Sequence, residues 1–189
     1  LSSVNSGFGD ALKLLSTSTF TNQATVSFTS GIDSTYKLYI FKLIDIGPVT
    51  DSVHFQFQVN ASGQTGYNET MTTTAFRTYH VENGSATAFG YSASYDQAQG
   101  TAYNIIAGSV SNDADNAVAG TLHLFNPAST TYAKHFYGTA SYFTYSSGNP
   151  LAYRLDSAGY INTTSALSEI DFKMSSGNFD GKIKMYGVL

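Results

Sequence analysis

Large apolar and polar residues alternate most regularly between Val53 and Asn60. The apolar positions are Val53, Phe55, Phe57 and Val59, and the polar positions between them are His54, Gln56, Gln58 and Asn60. Side chains along a strand point alternately to its two faces. The pattern therefore predicts an amphipathic strand with a buried apolar face. Its outward row of amides and an imidazole either faces solvent or binds a sugar or a neighbouring subunit.

The segment from Tyr36 to Ile46 is apolar at both parities. Leu38, Ile40, Ile44 and Ile46 share one parity, and Tyr39, Phe41 and Leu43 share the other. A short apolar run rich in β-branched and aromatic residues is typical of a strand covered on both faces. We therefore expect a central strand that is buried on both sides and ends at Gly47-Pro48.

The last twenty residues alternate on both sides of a polar turn. Ile170, Phe172 and Met174 precede the segment Ser175–Gly181, and Ile183 and Met185 follow it. Alternation on either side of a turn containing glycine and asparagine is typical of a β-hairpin. We expect the five apolar side chains to lie in the core. An isolated hairpin is marginally stable, so we expect Tyr36–Ile46 and Val53–Asn60 to be its neighbours.

Further strand patterns recur along the chain, separated by polar turns. They cover Leu12–Phe20, Ala24–Phe28, Met71–Glu82, Phe89–Tyr95, Tyr103–Ile106, Gly120–Phe125, Lys134–Tyr137, Tyr142–Tyr145 and Tyr153–Tyr160. Ten to twelve short strands without a long helix indicate an all-β fold. We predict an antiparallel β-sandwich, jelly-roll-like and a single domain over residues 12–189. Residues 1–11 are predicted to form an N-terminal arm or linker, either a frayed end or a segment that crosses to a neighbouring subunit.

Composition narrows the classes of partner. Charged residues make up 12% of the chain, about half of the usual ~25%. The net charge is −4 and the nine basic residues are scattered, whereas a nucleic-acid binder shows a basic patch. No apolar run approaches the ~20 residues of a membrane-spanning helix. We therefore expect no nucleic-acid partner and no membrane insertion. The low charge suits a surface that packs against copies of itself or against another protein.

No catalytic motif is visible in the sequence. A serine nucleophile needs a base and an orienting acid; serine is abundant, but a Gly-x-Ser-x-Gly elbow is absent, so the signal of such a site is missing. The carboxylates that a glycosidase needs in pairs are scattered, among them Glu69, Glu82, Asp96 and Glu169. The prediction is that the protein is not an enzyme, with no catalytic residue and no cofactor.

Metal ligands are equally sparse. The four histidines, His54, His80, His123 and His135, lack the spacing of a zinc site, and the chain has no cysteine. Asp113 and Asp115, flanked by Asn112 and Asn116, offer oxygen ligands in a loop, as calcium requires, but lack the glycine and distant glutamate of an EF-hand. We predict no metal site and leave calcium at Asp113 and Asp115 open.

Tyrosine rings and amides are the groups with which a protein binds sugars. Tyr132, Tyr137, Tyr142 and Tyr145 are the candidates for such a face, and packing in the core is the alternative role for the same rings.

Several phrases of the chain stand out together: SFTSGIDSTYK (residues 27–37), GYNET (66–70), GTLHLFNP (120–127), AGYINTTSA (158–166) and the ending FKMSSGN (172–178) with KIKMYG (182–187). They resemble a family of small virion-associated proteins from tailed phages of marine and cyanobacterial hosts. The resemblance covers most of the chain from about residue 11 and is weaker between Ala140 and Asp156. It implies a β-sandwich on a virion and supplies no catalytic residue.

From the residues and the resemblance we expect a phage virion structural protein on the particle surface. It would be present in multiple copies, as capsid decoration or cement or as a tail or fibre appendage. The expected partners are other virion proteins and copies of itself, with a trimer as one arrangement. The alternative is a tail-fibre module that binds a host glycan or receptor.

Overall fold

The structure, a computed structural model, describes residues 11–146 and 148–189. This part of the chain forms twelve strands and no helix, and hence contains no helix that could cross a membrane. The strands are β1 (Leu12–Gln23), β2 (Thr25–Phe28), β3 (Leu38–Pro48), β4 (Val53–Ala61), β5 (Met71–Val81), β6 (Thr87–Tyr91), β7 (Asn104–Val110), β8 (Val118–Phe125), β9 (Lys134–Ser146), β10 (Asn149–Ile161), β11 (Leu167–Met174) and β12 (Phe179–Val188). The arm predicted at residues 1–11 lies outside the described residues except for Ala11.

The strands form two antiparallel sheets that pack as a sandwich. The eight-stranded sheet has the order β1-β12-β3-β8-β9-β10-β5-β6, and the four-stranded sheet has the order β2-β11-β4-β7. The predicted all-β sandwich is confirmed, and the strand orders are compatible with a jelly roll. The two segments expected between Lys134 and Tyr145 are one strand, β9, which pairs with β10 over its whole length.

Aromatic side chains from both sheets fill the space between them. Phe172 of β11 stacks on Phe55 at 5.9 Å between ring centroids, and it meets Phe41 of the opposite sheet at 5.6 Å. Both sheets contribute these rings from alternate positions along their strands. The buried apolar residues form one continuous core cluster. The inward residues predicted for Val53–Asn60 are all buried, as expected from their alternation.

The predicted C-terminal hairpin is wrong. β11 lies between β2 and β4 in the small sheet, whereas β12 lies between β1 and β3 in the large sheet. The four residues between them carry the chain from one sheet to the other. Both strands still turn their apolar side chains inward, so all five residues predicted to be core are buried. The two expected neighbours are also correct, since β12 pairs with β3 and β11 pairs with β4.

β3 is central, as predicted, but it is buried on one face only. Tyr39, Phe41 and Leu43 are buried, whereas Leu38 and Ile40 on the other face remain partly exposed. Asp45, at φ +52°, forms a bulge that brings Ile46 onto the buried face with Leu43. Within the described residues, no further layer packs on the outer face of β3. The side chains on that face therefore remain partly exposed.

Candidate functional site

The outer face of the large sheet carries a continuous band of apolar and aromatic side chains. We call it the apolar belt: Leu12 and Leu14 (β1), Tyr186 and Val188 (β12), Leu38 and Ile40 (β3), His123 and Phe125 (β8), His135 and Tyr137 (β9). Directly opposed pairs link the strands, among them Leu14 with Tyr186 and Ile40 with His123. The belt therefore crosses five adjacent strands without interruption by a charged side chain.

The belt is accessible and well packed within itself. Leu14 is 49% exposed and Tyr137 is 44% exposed. His123 stacks on Tyr137 with 4.4 Å between ring centroids, and Phe125 contacts the same tyrosine ring at 5.7 Å. Soluble monomers rarely expose extended contiguous apolar patches, and larger ones mark interaction surfaces. The belt has the properties of such a surface.

The charge state of His123 suits its place in the belt. Burial lowers the pKa of this imidazole, and the nearby Lys42 ammonium lowers it further. The neutral ring is therefore favoured at neutral pH, and it adds apolar area to the belt. Its Nδ1 has no hydrogen-bond partner within the described residues.

A separate cleft of 360 Å³ opens at the other end of the same sheet. It is lined by His80, Glu82, Asp115, Phe143, Tyr145, Pro150, Leu151 and Ala152. Partial burial raises the pKa of the Tyr145 hydroxyl, and the carboxylates of Asp113 and Asp115 raise it further. The cleft thus combines an exposed ring with negative charge.

The four candidate tyrosines are in different environments. Tyr142 belongs to the core, where its hydroxyl accepts a 2.8 Å hydrogen bond from Gly108 N and its ring stacks on Tyr153. Its burial raises the pKa of the hydroxyl. Tyr137 lies in the apolar belt, Tyr145 lines the cleft, and Tyr132 is exposed in the loop before β9. They do not form one sugar-binding face.

The histidines are similarly dispersed. His54 on β4 accepts a hydrogen bond from Ser109 N at Nδ1, 2.9 Å away, and packs against Tyr95. Burial lowers the pKa of His54. Within the described residues, no group of three or more histidine, aspartate or glutamate side chains could hold a metal ion.

The outer face of the small sheet holds a polar cluster centred on Asp171. Asp171 of β11 is only 2% exposed. Its carboxylate accepts hydrogen bonds from Ser27 Oγ at 2.5 Å and from Tyr103 Oη at 3.0 Å. Burial raises the pKa of Asp171, although both hydrogen bonds and then the neighbouring Lys173 oppose that shift. Lys173 Nζ lies 4.0 Å from the centre of the Tyr103 ring.

The polar row of β4 is also covered. Gln58 Nε2 donates to the carbonyl oxygens of Glu69, Thr101 and Ala102. Asn60 Oδ1 accepts a hydrogen bond from Tyr67 N in the loop before β5, and its Nδ2 donates to Glu169. Gln58 and Asn60 are therefore buried beneath the loops that precede β5 and β7. The expectation that this row is a solvated or binding face is wrong at these two positions, because the amides fix the loops to the sheet.

The scattered carboxylates serve separate local structures. Glu69 Oε1 accepts from Ala61 N, Glu169 Oε2 accepts from Tyr67 Oη, and Asp96 accepts from Tyr91 Oη. Glu82 lines the cleft. Each of the first three holds a loop or a ring in place.

Comparisons with known proteins add no relative. No family model, no curated protein and no solved structure matches the chain.

Alternation alone did not identify the apolar belt, yet its signal was present in the sequence. The second apolar face of Tyr36–Ile46 was interpreted as a face buried within the chain, and it contributes Leu38 and Ile40 to the belt. The contributions of β1 and β12 depend on strand order, which the local pattern does not specify.

Proposed function

We propose that this chain is a structural protein of a phage particle. It would be displayed in multiple copies on the particle surface, as capsid decoration or as a tail or fibre appendage. The observation that carries the proposal is the apolar belt, and the sequence resemblance to phage virion proteins supports the source. The role is one of assembly rather than catalysis.

The position of the belt favours contact with a protein surface. Its side chains come from the β-strands of a paired sheet, so their positions are fixed before association and little ordering entropy is lost. The belt is rich in aromatic and aliphatic residues and has no lysine or carboxylate, as is typical of the centre of a protein interface. A second copy of the chain or another virion protein would cover it.

Location on the particle tests the proposal directly. We expect labelled antibody against this chain to bind purified virions in negative-stain images, at capsid or tail positions repeated from particle to particle. Absence of the chain from purified particles would overturn the virion role.

Self-association tests the belt separately. In sedimentation velocity the wild-type chain is expected to form an oligomer, and Leu14→Glu is expected to shift it to monomer. Tyr132→Glu is the matched control, because Tyr132 is exposed outside the belt. If Leu14→Glu sediments like the wild type, the belt is not the interface between copies.

A second candidate function is recognition of a host glycan by an appendage of the particle. It is favoured by three neighbouring exposed rings, Phe76, Phe89 and Tyr91, on the outer face of β5 and β6. Exposed rings on a rigid sheet offer flat apolar faces to a sugar. A glycan array is the test, and an array without a hit would remove this candidate.

A further inference from the structure

A single row of side chains connects the exposed rings of β5 and β6 to the opposite part of the large sheet. Directly opposed residues run from Tyr91 through Phe76, Asp156, Thr139, Thr121 and Lys42 to Lys184. Neighbouring strands lie about 4.8 Å apart. The distance across the sheet from Phe76 to Lys184, five strand intervals, is therefore about 24 Å.

A shallow groove of 470 Å³ occupies the middle of this row. Its polar lining consists of Lys42, Thr121, Thr139, Ser141 and Arg154. Arg154 binds Asp156 through two 2.9 Å hydrogen bonds. The groove thus presents hydroxyl groups along its floor and a fixed guanidinium–carboxylate pair on one side, which are groups suited to binding sugar hydroxyls.

Two lysines at the far end of the row face each other without a counter-charge. Lys42 and Lys184 are directly opposite on β3 and β12, and neither makes an ion pair or hydrogen bond within residues 11–146 and 148–189. Like charges directly opposite each other destabilise a sheet. Lys182, two residues before Lys184, lies on the same face of β12 and adds a third positive charge. A protein with a net charge of −4 thus concentrates unpaired positive charge at this point.

The aromatic end offers ring faces instead of charge. The rings of Phe76 and Phe89 are nearly parallel, with 5° between their planes, and Phe89 is 75% exposed. Tyr91 packs edge-on against Phe76 and donates a hydrogen bond to Asp96, which fixes its ring. The negatively polarised faces of aromatic rings attract the C–H edges of a ligand.

We call this row, together with Phe89 and the groove, the outer track. We infer that the outer track binds an acidic oligosaccharide that lies across the strands. Its sugar rings would pack on Phe76 and Phe89, its hydroxyls would meet the groove, and its carboxylate or sulfate groups would neutralise Lys42 and Lys184. The inference rests on the second candidate function, whose site and ligand class it specifies. It does not depend on the apolar belt.

The test is calorimetric titration of the intact chain with matched oligosaccharide pairs. The probes are tetramers of galacturonic acid and of mannuronic acid, each with its neutral methyl ester, and a sulfated galactan tetramer with its desulfated form. We expect the acidic member of at least one pair to bind about tenfold or more tightly than its neutral partner, with affinity falling as salt is raised.

Variants locate the binding to the outer track. Lys42→Gln and Lys184→Gln should each weaken acidic binding about tenfold and so bring its affinity towards that of the neutral partner, and Phe89→Ala should weaken binding of both members. Lys13→Gln removes the same charge from an exposed position of β1 outside the track, and Tyr145→Ala alters the separate cleft. Both controls should bind like the wild type. Thermal melts confirm that each variant is folded.

The outcomes separate the inference from the function on which it rests. Suppose that neutral and acidic members bind equally, or that Lys42→Gln and Lys184→Gln bind like the wild type. The inference of an acidic ligand on the outer track is then wrong, whereas recognition of a glycan is not contradicted. If no oligosaccharide on the panel or on a glycan array binds, both are wrong.

Discussion

Phe172 has the most aromatic neighbours among the residues of the core. Its ring contacts those of Phe28, Phe41, Phe55 and Phe57, with centroids between 5.6 and 6.4 Å away. These neighbours come from both sheets, and the ring is fully buried. Closely packed rings on every side cannot collapse easily into a cavity, so truncation at this position should be costly.

Phe172→Ala is expected to lower the free energy of unfolding by about 3–5 kcal/mol, as truncations of buried phenylalanine do. Denaturant melts of wild type and variant measure the change. Phe89→Ala removes an exposed ring and should change stability by less than about 0.5 kcal/mol. Equal small effects for both variants would show that Phe172 is peripheral to the core.

Asp171 makes stability depend on pH. Because burial raises its pKa above the ordinary value of 3.8, the folded chain binds this proton more tightly than the unfolded chain. The contribution of Asp171 to the unfolding free energy therefore increases as pH falls through the raised pKa. Asp171→Asn has no titrating carboxyl, so the stability of the wild type relative to this variant should increase on acidification. Urea melts of both proteins between neutral pH and about pH 4 measure the difference in unfolding free energy. A difference that does not change with pH would contradict this prediction.

At the scale of elements, the contact between β3 and β12 contains a bulge built on glycine. Asp180 pairs with Gly47 and Lys182 pairs with Ile44, so Gly181 faces two residues, Asp45 and Ile46. Gly181 has φ +143°, and a Cβ at this position would lie 2.7 Å from Ile46 Cδ1 and 2.9 Å from the Asp45 carbonyl oxygen. Only glycine fits this conformation and this spacing.

Gly181→Ala is expected to destabilise the fold by about 1–3 kcal/mol, through backbone strain and the clash with Ile46. Gly90→Ala in β6 is the matched control, because its Cβ would meet no atom within 4 Å. Thermal or denaturant melts compare the two. An equal loss of stability in the two variants would mean that the bulge accommodates a side chain at residue 181.

Local alternation predicted the strands and their buried faces, because it records which side of each strand faces the core. It correctly assigned Val53, Phe55 and Phe57, and Ile183 and Met185 on β12. It could not show that β11 and β12 lie in different sheets, since an inward face looks the same in a hairpin and in a crossing between sheets. It also missed the covered polar row, because the loops over Gln58 and Asp171 are distant in sequence.

At the scale of the whole molecule, the two faces of the sandwich differ in what covers them. Loops lie over part of the outer face of the small sheet, while within the described residues the outer face of the large sheet remains open and carries the apolar belt, the cleft and the outer track. Association through the belt would join large sheets and leave the small sheets outward. Stability would then be linked to assembly by mass action.

The thermal midpoint of the wild type is therefore expected to rise with protein concentration, because association stabilises only the folded chain. Leu14→Glu should abolish the rise, and Tyr132→Glu should retain it. Differential scanning calorimetry over a series of dilutions makes the measurement. A midpoint independent of concentration for the wild type would argue against assembly through the belt.

The crossing between β11 and β12 has a consequence for biosynthesis. Each of these late strands inserts between two strands made much earlier, β2 and β4 in one sheet and β1 and β3 in the other. A nascent chain that stops before Leu167 leaves both sheets divided and their inner edges unpaired, a state prone to aggregation. Completion of the fold must therefore follow synthesis of β12, and a chain that terminates before β12 exposes strand edges that the complete fold pairs.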